Sequence, residues 1–241
     1  MDDTIRRIFA AIHTQTFDAM QADLARATSL PALLAVTQSA LEHTEKTVDA
    51  VREQAAVETA CAAGCSFCCW MRIDALAHEV LLIARYLRHH WTHQAIERLL
   101  VSARERRAAE LPLDYAARQR SHLPCVLLQD GMCSIYPVRP MACRRYFSGS
   151  LNACHQLWQD ADAEAGVEIP LLAGAGRAAG TAVRRAFALA GYDDYFYGLN
   201  AALVEALEDP ACEERWFQKQ PAFSIDARTL QPPAGPPAPE D

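Results

Sequence analysis

Four cysteines fall within nine residues of one stretch, Cys61-Ala-Ala-Gly-Cys65-Ser-Phe-Cys68-Cys69. Gly64 and the lack of a regular apolar pattern predict an irregular turn here rather than a continued helix. A turn that carries several thiols can hold a soft or borderline metal ion when further sulfur ligands arrive from a distant part of the chain. We call these four residues the first cysteine group, and the fold must bring other ligands to it.

A second cysteine group, Cys125, Cys133 and Cys143, follows more than fifty residues later. Between its first two members, Asp130-Gly131 separates two short apolar runs and predicts a β-hairpin, because glycine takes the positive φ of a tight turn. Pro140 predicts the start of a helix. Cys143 would then lie in its first turn, where free amides and the helix dipole stabilise a thiolate. We expect both features to carry their thiols toward the first cysteine group.

Most other segments have apolar residues at helical spacing, which predicts a mainly α fold. The first two helices should form a hairpin, and Asp74 is a candidate cap for the third. We expect helices at about residues 3–28, 30–58, 75–107, 178–190 and 195–207. The predicted architecture is an irregular helical domain around a cysteine-ligated metal site, with one short β-hairpin.

This pattern divides the chain into four parts. Residues 1–58 are the predicted helical hairpin, 59–160 the metal-binding core, and 161–230 C-terminal helices that pack on the core. Residues 231–241 are a proline-rich tail with almost nothing to bury, so we expect this tail to be disordered.

Composition excludes some classes of protein. A chain of 241 residues buries roughly 70 to 75% of its unfolded surface, so its core needs no covalent or metal cross-links. The net charge of −7 argues against a protein that coats nucleic acid or an anionic membrane. There is no secretory signal and no membrane-spanning window, so we expect a cytoplasmic protein with reduced thiols. Clustered cysteines then indicate a metal or redox site, the alternative being small buried hydrophobes.

The pattern Cys-x3-Cys-x2-Cys-Cys, followed by Cys-x7-Cys-Ser-Ile-Tyr-x2-Arg-Pro-x2-Cys-Arg, resembles the YkgJ-type cysteine-cluster family. That family is also described as the CxxCxxCC putative zinc- or iron-chelating domain, and the resemblance covers about residues 61–146. It implies metal chelation by clustered cysteines and no settled reaction. Carried over to this chain, the implied ligands are Cys61, Cys65, Cys68, Cys69, Cys125, Cys133 and Cys143.

Two further resemblances keep an enzyme among the alternatives. The cluster is similar to that of flagellin lysine methylases, although this chain lacks a glycine-rich loop after a strand to hold a methyl donor. The spacing of Cys61, Cys65 and Cys68 is also similar to that with which radical S-adenosylmethionine enzymes hold a 4Fe–4S cluster. Those enzymes use an α/β barrel, whereas helices flank the motif here.

The metal can be iron, as single ions or as a 4Fe–4S cluster, or zinc. Seven candidate thiolates exceed the four that one structural zinc uses, so either two metals share ligands or an iron–sulfur cluster takes four of them. We favour iron. Because consecutive side chains tend to diverge, Cys68 and Cys69 should serve different metals or different atoms of one cluster.

Charged residues near the second cysteine group have two interpretations. Arg139, Arg144 and Arg145 could offset thiolate charge or bind an anionic ligand, or they could form a solvated basic face. Glu79 could pair with one of them, but exposure is the usual state of a glutamate. We expect Ile135 and Tyr136 to be core residues.

Other potential ligands have weaker support. His89, His90 and His93 should lie on a wet helix surface. Cys154-His155 could supply an additional sulfur or nitrogen ligand, and Cys212 should be the odd free thiol.

Three functions remain open. The first is a metal-binding module, the second an iron–sulfur or mononuclear-iron enzyme with redox or protein-modifying chemistry. The third is a helical interaction protein with a structural zinc and a protein partner of unknown identity. No catalytic base, nucleophile pair or nucleotide-binding loop stands out in the sequence to choose a substrate.

Overall fold

The computed structural model describes residues 2–62, 64–113, 117–118, 121, 123–160 and 168–229. These residues form a mainly helical structure with two small two-stranded antiparallel sheets, which confirms the predicted fold class. The proline-rich tail at 231–241, predicted to be disordered, lies outside them. No helix in the described ranges is long and apolar enough to cross a membrane.

The helices are α1 Asp3–Arg26, α2 Leu30–Gln54, α3 Ala77–His90, α4 His93–Glu110, α5 Met141–Arg144, α6 Leu151–Gln159, α7 Pro170–Leu189, α8 Leu199–Glu208 and α9 Ala211–Phe217. Short 3-10 turns occur at Phe67–Trp70, Tyr136–Val138 and Ile225–Ala227. Strand β1 (Asp74–Leu76) pairs with β4 (Phe196–Gly198), and β2 (Leu128–Gln129) pairs with β3 (Met132–Cys133).

The first two helices begin where the sequence predicts. Asp2 caps α1 by accepting a hydrogen bond from the Thr4 amide at 3.0 Å, and the Ser29 hydroxyl accepts from Ala32 at 3.4 Å at the start of α2. Side-chain oxygens at these positions satisfy amides that have no partner within the helix. α2 ends at Gln54, somewhat before the predicted residue 58.

Two predicted helices are wrong in detail. Asp74 is not a helix cap but the first residue of β1, and the helix predicted to run to residue 107 is interrupted at Trp91, where Thr92 caps α4. The helix predicted from residue 195 begins only at Leu199, because Phe196–Gly198 form β4. Strands of three residues are too short to show an alternating apolar pattern. The β1–β4 sheet is therefore defined by long-range pairing, which the local sequence does not reveal.

One hydrophobic cluster contains side chains from all three predicted folded segments, including Leu41, Leu81, Phe187 and Trp216. The boundaries between these segments stay a prediction. α1 lies along α7, where a Cβ on Gly174 would be only 2.2 Å from Phe9 Cζ. A larger residue at this position would push the two helices apart.

His78 is the most unusual polar side chain of this core. It is 1% exposed and stacks on Phe187 with ring centroids 4.1 Å apart. Neither ring nitrogen has a hydrogen-bond partner among the described residues, and Trp216 Nε1 nearby is also unpaired. Burial lowers the pKa of His78 to about 3, so this histidine is neutral in the folded protein at ordinary pH.

We therefore predict that His78 makes the fold sensitive to acid. An unfolded histidine has a pKa of about 6.5, so below that pH the unfolded chain binds a proton that the folded chain does not. Stability should fall as the pH decreases from about 6.5 toward 3, by up to about 1.4 kcal/mol per pH unit. Urea denaturation at pH 7 and pH 5 should show a smaller loss for His78→Leu than for wild type. His93→Leu, at a side chain that is 90% exposed, is the control; equal losses in all three proteins would contradict the prediction.

Candidate metal centre

The first cysteine group lies on an irregular turn, as predicted. Gly64 has a φ of +86°, and the Cys65 amide donates to the Ala62 carbonyl at 3.0 Å. A 3-10 turn at Phe67–Trp70 follows. All four thiols are free and only partly exposed, so they are available as ligands.

The second cysteine group also has the local structure that the sequence predicts. Leu128 pairs with Cys133 in the hairpin, and Asp130 and Gly131 have φ values of +49° and +75° at its turn. Both positive values are those of a type I′ turn, which matches the twist of the strands. Helix α5 begins after Pro140, so Cys143 lies in its first turn.

The backbones of the two groups meet directly. The Cys125 amide donates to the Cys69 carbonyl at 2.6 Å. A Cβ on Gly64 would lie 3.9 Å from Met132 Sδ at the tip of the hairpin, an ordinary van der Waals contact. The fold therefore places the hairpin against the turn that carries the first cysteine group.

Cys68 is the thiol that connects the two groups electrostatically. Burial is the main cause that raises the pKa of Cys125, Cys133 and Cys143, and the charge of Cys68 adds to the rise in each. Interaction with the neighbouring Cys69 thiol is the largest cause that raises the pKa of Cys68, ahead of burial. That Cys68 and Cys69 serve different metals or different atoms of one cluster stays a prediction.

The thiols share a region without enclosing a metal ion. Within the described ranges, no three Cys, His, Asp or Glu side chains are grouped closely enough to hold one. The residues fit iron or zinc by the type of donor they supply. All of these cysteines are free thiols, and sulfur is a ligand that both metals accept. Side chains would have to turn toward a common point when a metal binds.

Backbone amides favour the thiolate form of three of these cysteines. The Ser148 amide donates to Cys61 Sγ at 3.3 Å. In the second cysteine group, burial raises the pKa of Cys125 and of Cys133, and a backbone amide opposes each rise. The Leu127 amide acts on Cys125 and the Ile135 amide acts on Cys133. A hydrogen bond to the charged form of a group stabilises that form.

Burial outweighs these amides. It raises the pKa of Cys125 to about 11 and that of Cys143 well above its ordinary value. The expectation that the start of a helix holds Cys143 as a thiolate is therefore not met: α5 has four residues, and burial dominates. A metal ion must displace protons from these thiols, which couples its binding to pH.

Two of the arginines form a buried network with a glutamate of α2. Arg139 and Arg144 each bind Glu45, and Arg144, 2% exposed, also donates from Nε to the Arg139 carbonyl at 2.9 Å. A solvated basic face is thus the wrong interpretation for these two residues. Burial raises the pKa of Cys133 and the charges of both arginines oppose that rise, as expected if they offset thiolate charge. Arg145 lies 3.6 Å from Glu168.

Two other expectations for this region need correction. Glu79 is 2% exposed rather than solvated, and both of its carboxylate oxygens accept hydrogen bonds from backbone amides. Tyr136 is 58% exposed, with the Arg139 guanidinium over its ring, so it is not a core residue. Ile135 is buried, as predicted.

Helix α6 carries Cys154, the candidate for an additional sulfur ligand beyond the seven. Cys154 is 7% exposed and close enough to Cys61 for its charge to affect the pKa of that thiol, which burial chiefly raises. His155 is exposed, and its ring packs edge-on against Phe67 at 5.9 Å. The amphipathic pattern of residues 151–159 was the available signal, because it places Cys154 on the buried face.

The remaining candidates lie outside this region. His89, His90 and His93 are exposed, as expected. Cys212 is buried in α9, where Arg215 donates to its sulfur at 3.1 Å, and burial raises its pKa to about 11.

A comparison with protein families finds one model that matches part of the chain. Residues 60–162 match the CxxCxxCC family model. The family is described as a putative zinc- or iron-chelating domain, which confirms the resemblance seen in the sequence. The matched residues include all seven predicted ligands and Cys154. No curated protein and no solved structure matches the chain.

We predict that Glu45 stabilises the arginine network around the second cysteine group. Replacing Glu45 with alanine leaves Arg144 buried without its carboxylate partner. Loss of one partner of a fully buried pair costs about 3 to 5 kcal/mol. Because the Glu45 side chain is 32% exposed, solvent screening reduces the expected loss to about 2 kcal/mol.

Chemical denaturation of the metal-free protein measures this effect. Glu53→Ala, at an exposed position of the same helix, is the matched control and should change stability by less than about 0.5 kcal/mol. Equal effects of the two substitutions would show that the network adds nothing beyond surface charge.

Proposed function

We propose that this protein binds iron or zinc through the thiols of the two cysteine groups. The observation that carries the proposal is the hydrogen bond from the Cys125 amide to the Cys69 carbonyl, at 2.6 Å, because it fixes two cysteine-bearing segments side by side. The family description supports the same chemistry. The proposed ligands are Cys61, Cys65, Cys68, Cys69, Cys125, Cys133 and Cys143, with Cys154 as an eighth candidate.

Binding of the metal would cross-link the turn at 61–69 to the hairpin and to α5. Since the thiols do not enclose a metal ion in the structure, part of the binding free energy would be used to order them. The metal would stabilise the folded protein, because a ligand that binds only the folded state shifts the equilibrium from the unfolded to the folded state.

We favour iron over zinc. Eight thiols are more than one tetrahedral zinc uses, whereas an iron–sulfur cluster takes four and can be tuned by neighbouring groups. Two zinc ions that share ligands are the alternative.

An iron-dependent redox or protein-modifying enzyme is the second candidate function. A small pocket of about 20 Å³ opens beside Cys125 and is also lined by Met71, Arg72, Glu110 and Asn200. This volume admits a water-sized molecule. A coordination position that faces this pocket could be reached from solvent, which open catalytic sites require and closed structural sites lack.

Metal content and colour test the proposal. Protein purified without oxygen should contain stoichiometric metal by elemental analysis, and both Cys65→Ala and Cys133→Ala should contain less. Cys212→Ala is the matched control and should keep the full amount. A visible charge-transfer band indicates iron, and colourless protein with zinc excludes the iron enzyme. Full metal retention in both Cys65→Ala and Cys133→Ala would refute a site shared by the two groups.

We also predict that removal of the metal destabilises the fold. A chelator should lower the melting temperature of wild-type protein by several degrees, because the bound metal contributes folding free energy. The melting temperature of Cys133→Ala should respond less to the same treatment. Identical melting curves for the loaded and stripped wild type would rule out a cross-linking role of the metal.

A further inference from the structure

Glu79 is a buried carboxylate whose two oxygens accept hydrogen bonds from backbone amides near the cysteine groups in sequence. Its Oε2 accepts a hydrogen bond from the Leu76 amide at 2.7 Å, and its Oε1 accepts one from the Met141 amide at 2.7 Å. Leu76 is three residues before Glu79, whereas Met141 is 62 residues after it. The Glu79 side chain thus joins the start of α3 to the start of α5, which are not paired with each other in either sheet.

The two amides have specific positions relative to the proposed ligands. Leu76 ends the strand β1, which follows Cys69 after a short connection, and Met141 is two residues before Cys143. Each is at the beginning of a helix, where backbone amides lack a partner within the helix. The Glu79 carboxylate satisfies one such amide at the start of α3 and one at the start of α5.

The position is costly for an ordinary glutamate. Burial raises the pKa of Glu79, and the two backbone amides oppose that rise, as do the charges of Arg144 and Arg145. A carboxylate has two oxygens and can accept both amides at once, whereas an amide side chain presents one acceptor and one donor. Glutamine at this position would therefore keep only one of the two bonds.

We propose that Glu79 is a positioning residue of the metal centre, holding the segment after the first cysteine group at a fixed separation from α5 and Cys143. The inference rests on the proposed metal binding. It differs from a general stabilising role, because a misplaced Cys143 weakens metal binding even in a protein that is fully folded. Outer groups that orient metal ligands typically change affinity by about 10- to 100-fold.

The test removes one hydrogen bond without touching Glu79. Met141→Pro deletes the N–H that donates a hydrogen bond to Glu79 Oε1. Proline fits the first position of a helix, because its fixed φ is already helical. Met141→Ala removes a similar amount of side chain but keeps the amide, so it is the matched control. Both are compared with wild type in competition with a chelator, with zinc and then ferrous iron as probes, under conditions where circular dichroism shows each metal-free protein to be folded.

We expect Met141→Pro to bind metal about 10- to 100-fold more weakly than Met141→Ala. Glu79→Gln should also bind more weakly than Glu205→Gln, a remote glutamate that likewise accepts a backbone amide, from Ser224 at 2.7 Å. Equal affinities within each pair would overturn the inference. A wild-type protein that binds neither metal would instead refute the proposed function itself.

A second measurement needs no variant and decides the matter if the substitutions prevent folding. Amide hydrogen exchange at Leu76 and Met141 is compared between metal-free and metal-loaded wild-type protein. Because the Glu79 carboxylate links both amides to the site, loading should slow their exchange together, by about tenfold or more in line with tighter closure of the region. Unchanged exchange at both amides would overturn the positioning role.

Discussion

Two cysteine-bearing segments more than fifty residues apart can serve one metal centre only if the fold holds their backbones together. The hydrogen bond between Cys125 and Cys69 does this at one point, and the Glu79 carboxylate does it at another. Each contact brings distant chain segments together before any metal binds. The entropic cost of closing the long loop between them is therefore met by folding and not by metal binding. The thiols then need to reorient only locally, which is a smaller change than the assembly of the site from an unfolded chain.

The same region contains buried charges, which are expensive unless every one has a partner. Glu79 has two amides, and Arg144 has Glu45 and two backbone carbonyls. These groups surround the second cysteine group on the side of α2 and α3. They give the segment at 139–144, which includes α5, a defined position that a purely apolar packing of small side chains would specify less strictly.

Local signals in the sequence account for the parts of the site that depend on a few neighbouring residues. Asp130-Gly131 predicts the hairpin because only certain residues accept positive φ, and Pro140 predicts the start of α5 because its ring suits a first turn. The cysteine spacing predicts which thiols to consider. The structure brings these segments together as expected.

Long-range contacts explain what the sequence does not reveal. β1 and β4 are recognisable only as a pair, since three-residue strands carry no pattern of their own. The burial of Glu79 depends on the Met141 amide, 62 residues away, and that of Arg144 on Glu45 in another helix. Cys154 lies outside the spaced cysteine pattern, and its approach to Cys61 follows from the packing of α6 on the turn at 67–70.

X-ray absorption at the metal edge tests the central claim most directly, because it counts the sulfur atoms bound to the metal. We predict a first shell of sulfur at about 2.3 Å in the loaded wild-type protein. Substituting serine for Cys65 or for Cys133 should each replace sulfur by a lighter ligand, since both groups contribute. A shell of nitrogen and oxygen, or a sulfur shell that changes in only one of the two variants, would contradict a centre shared by the two cysteine groups.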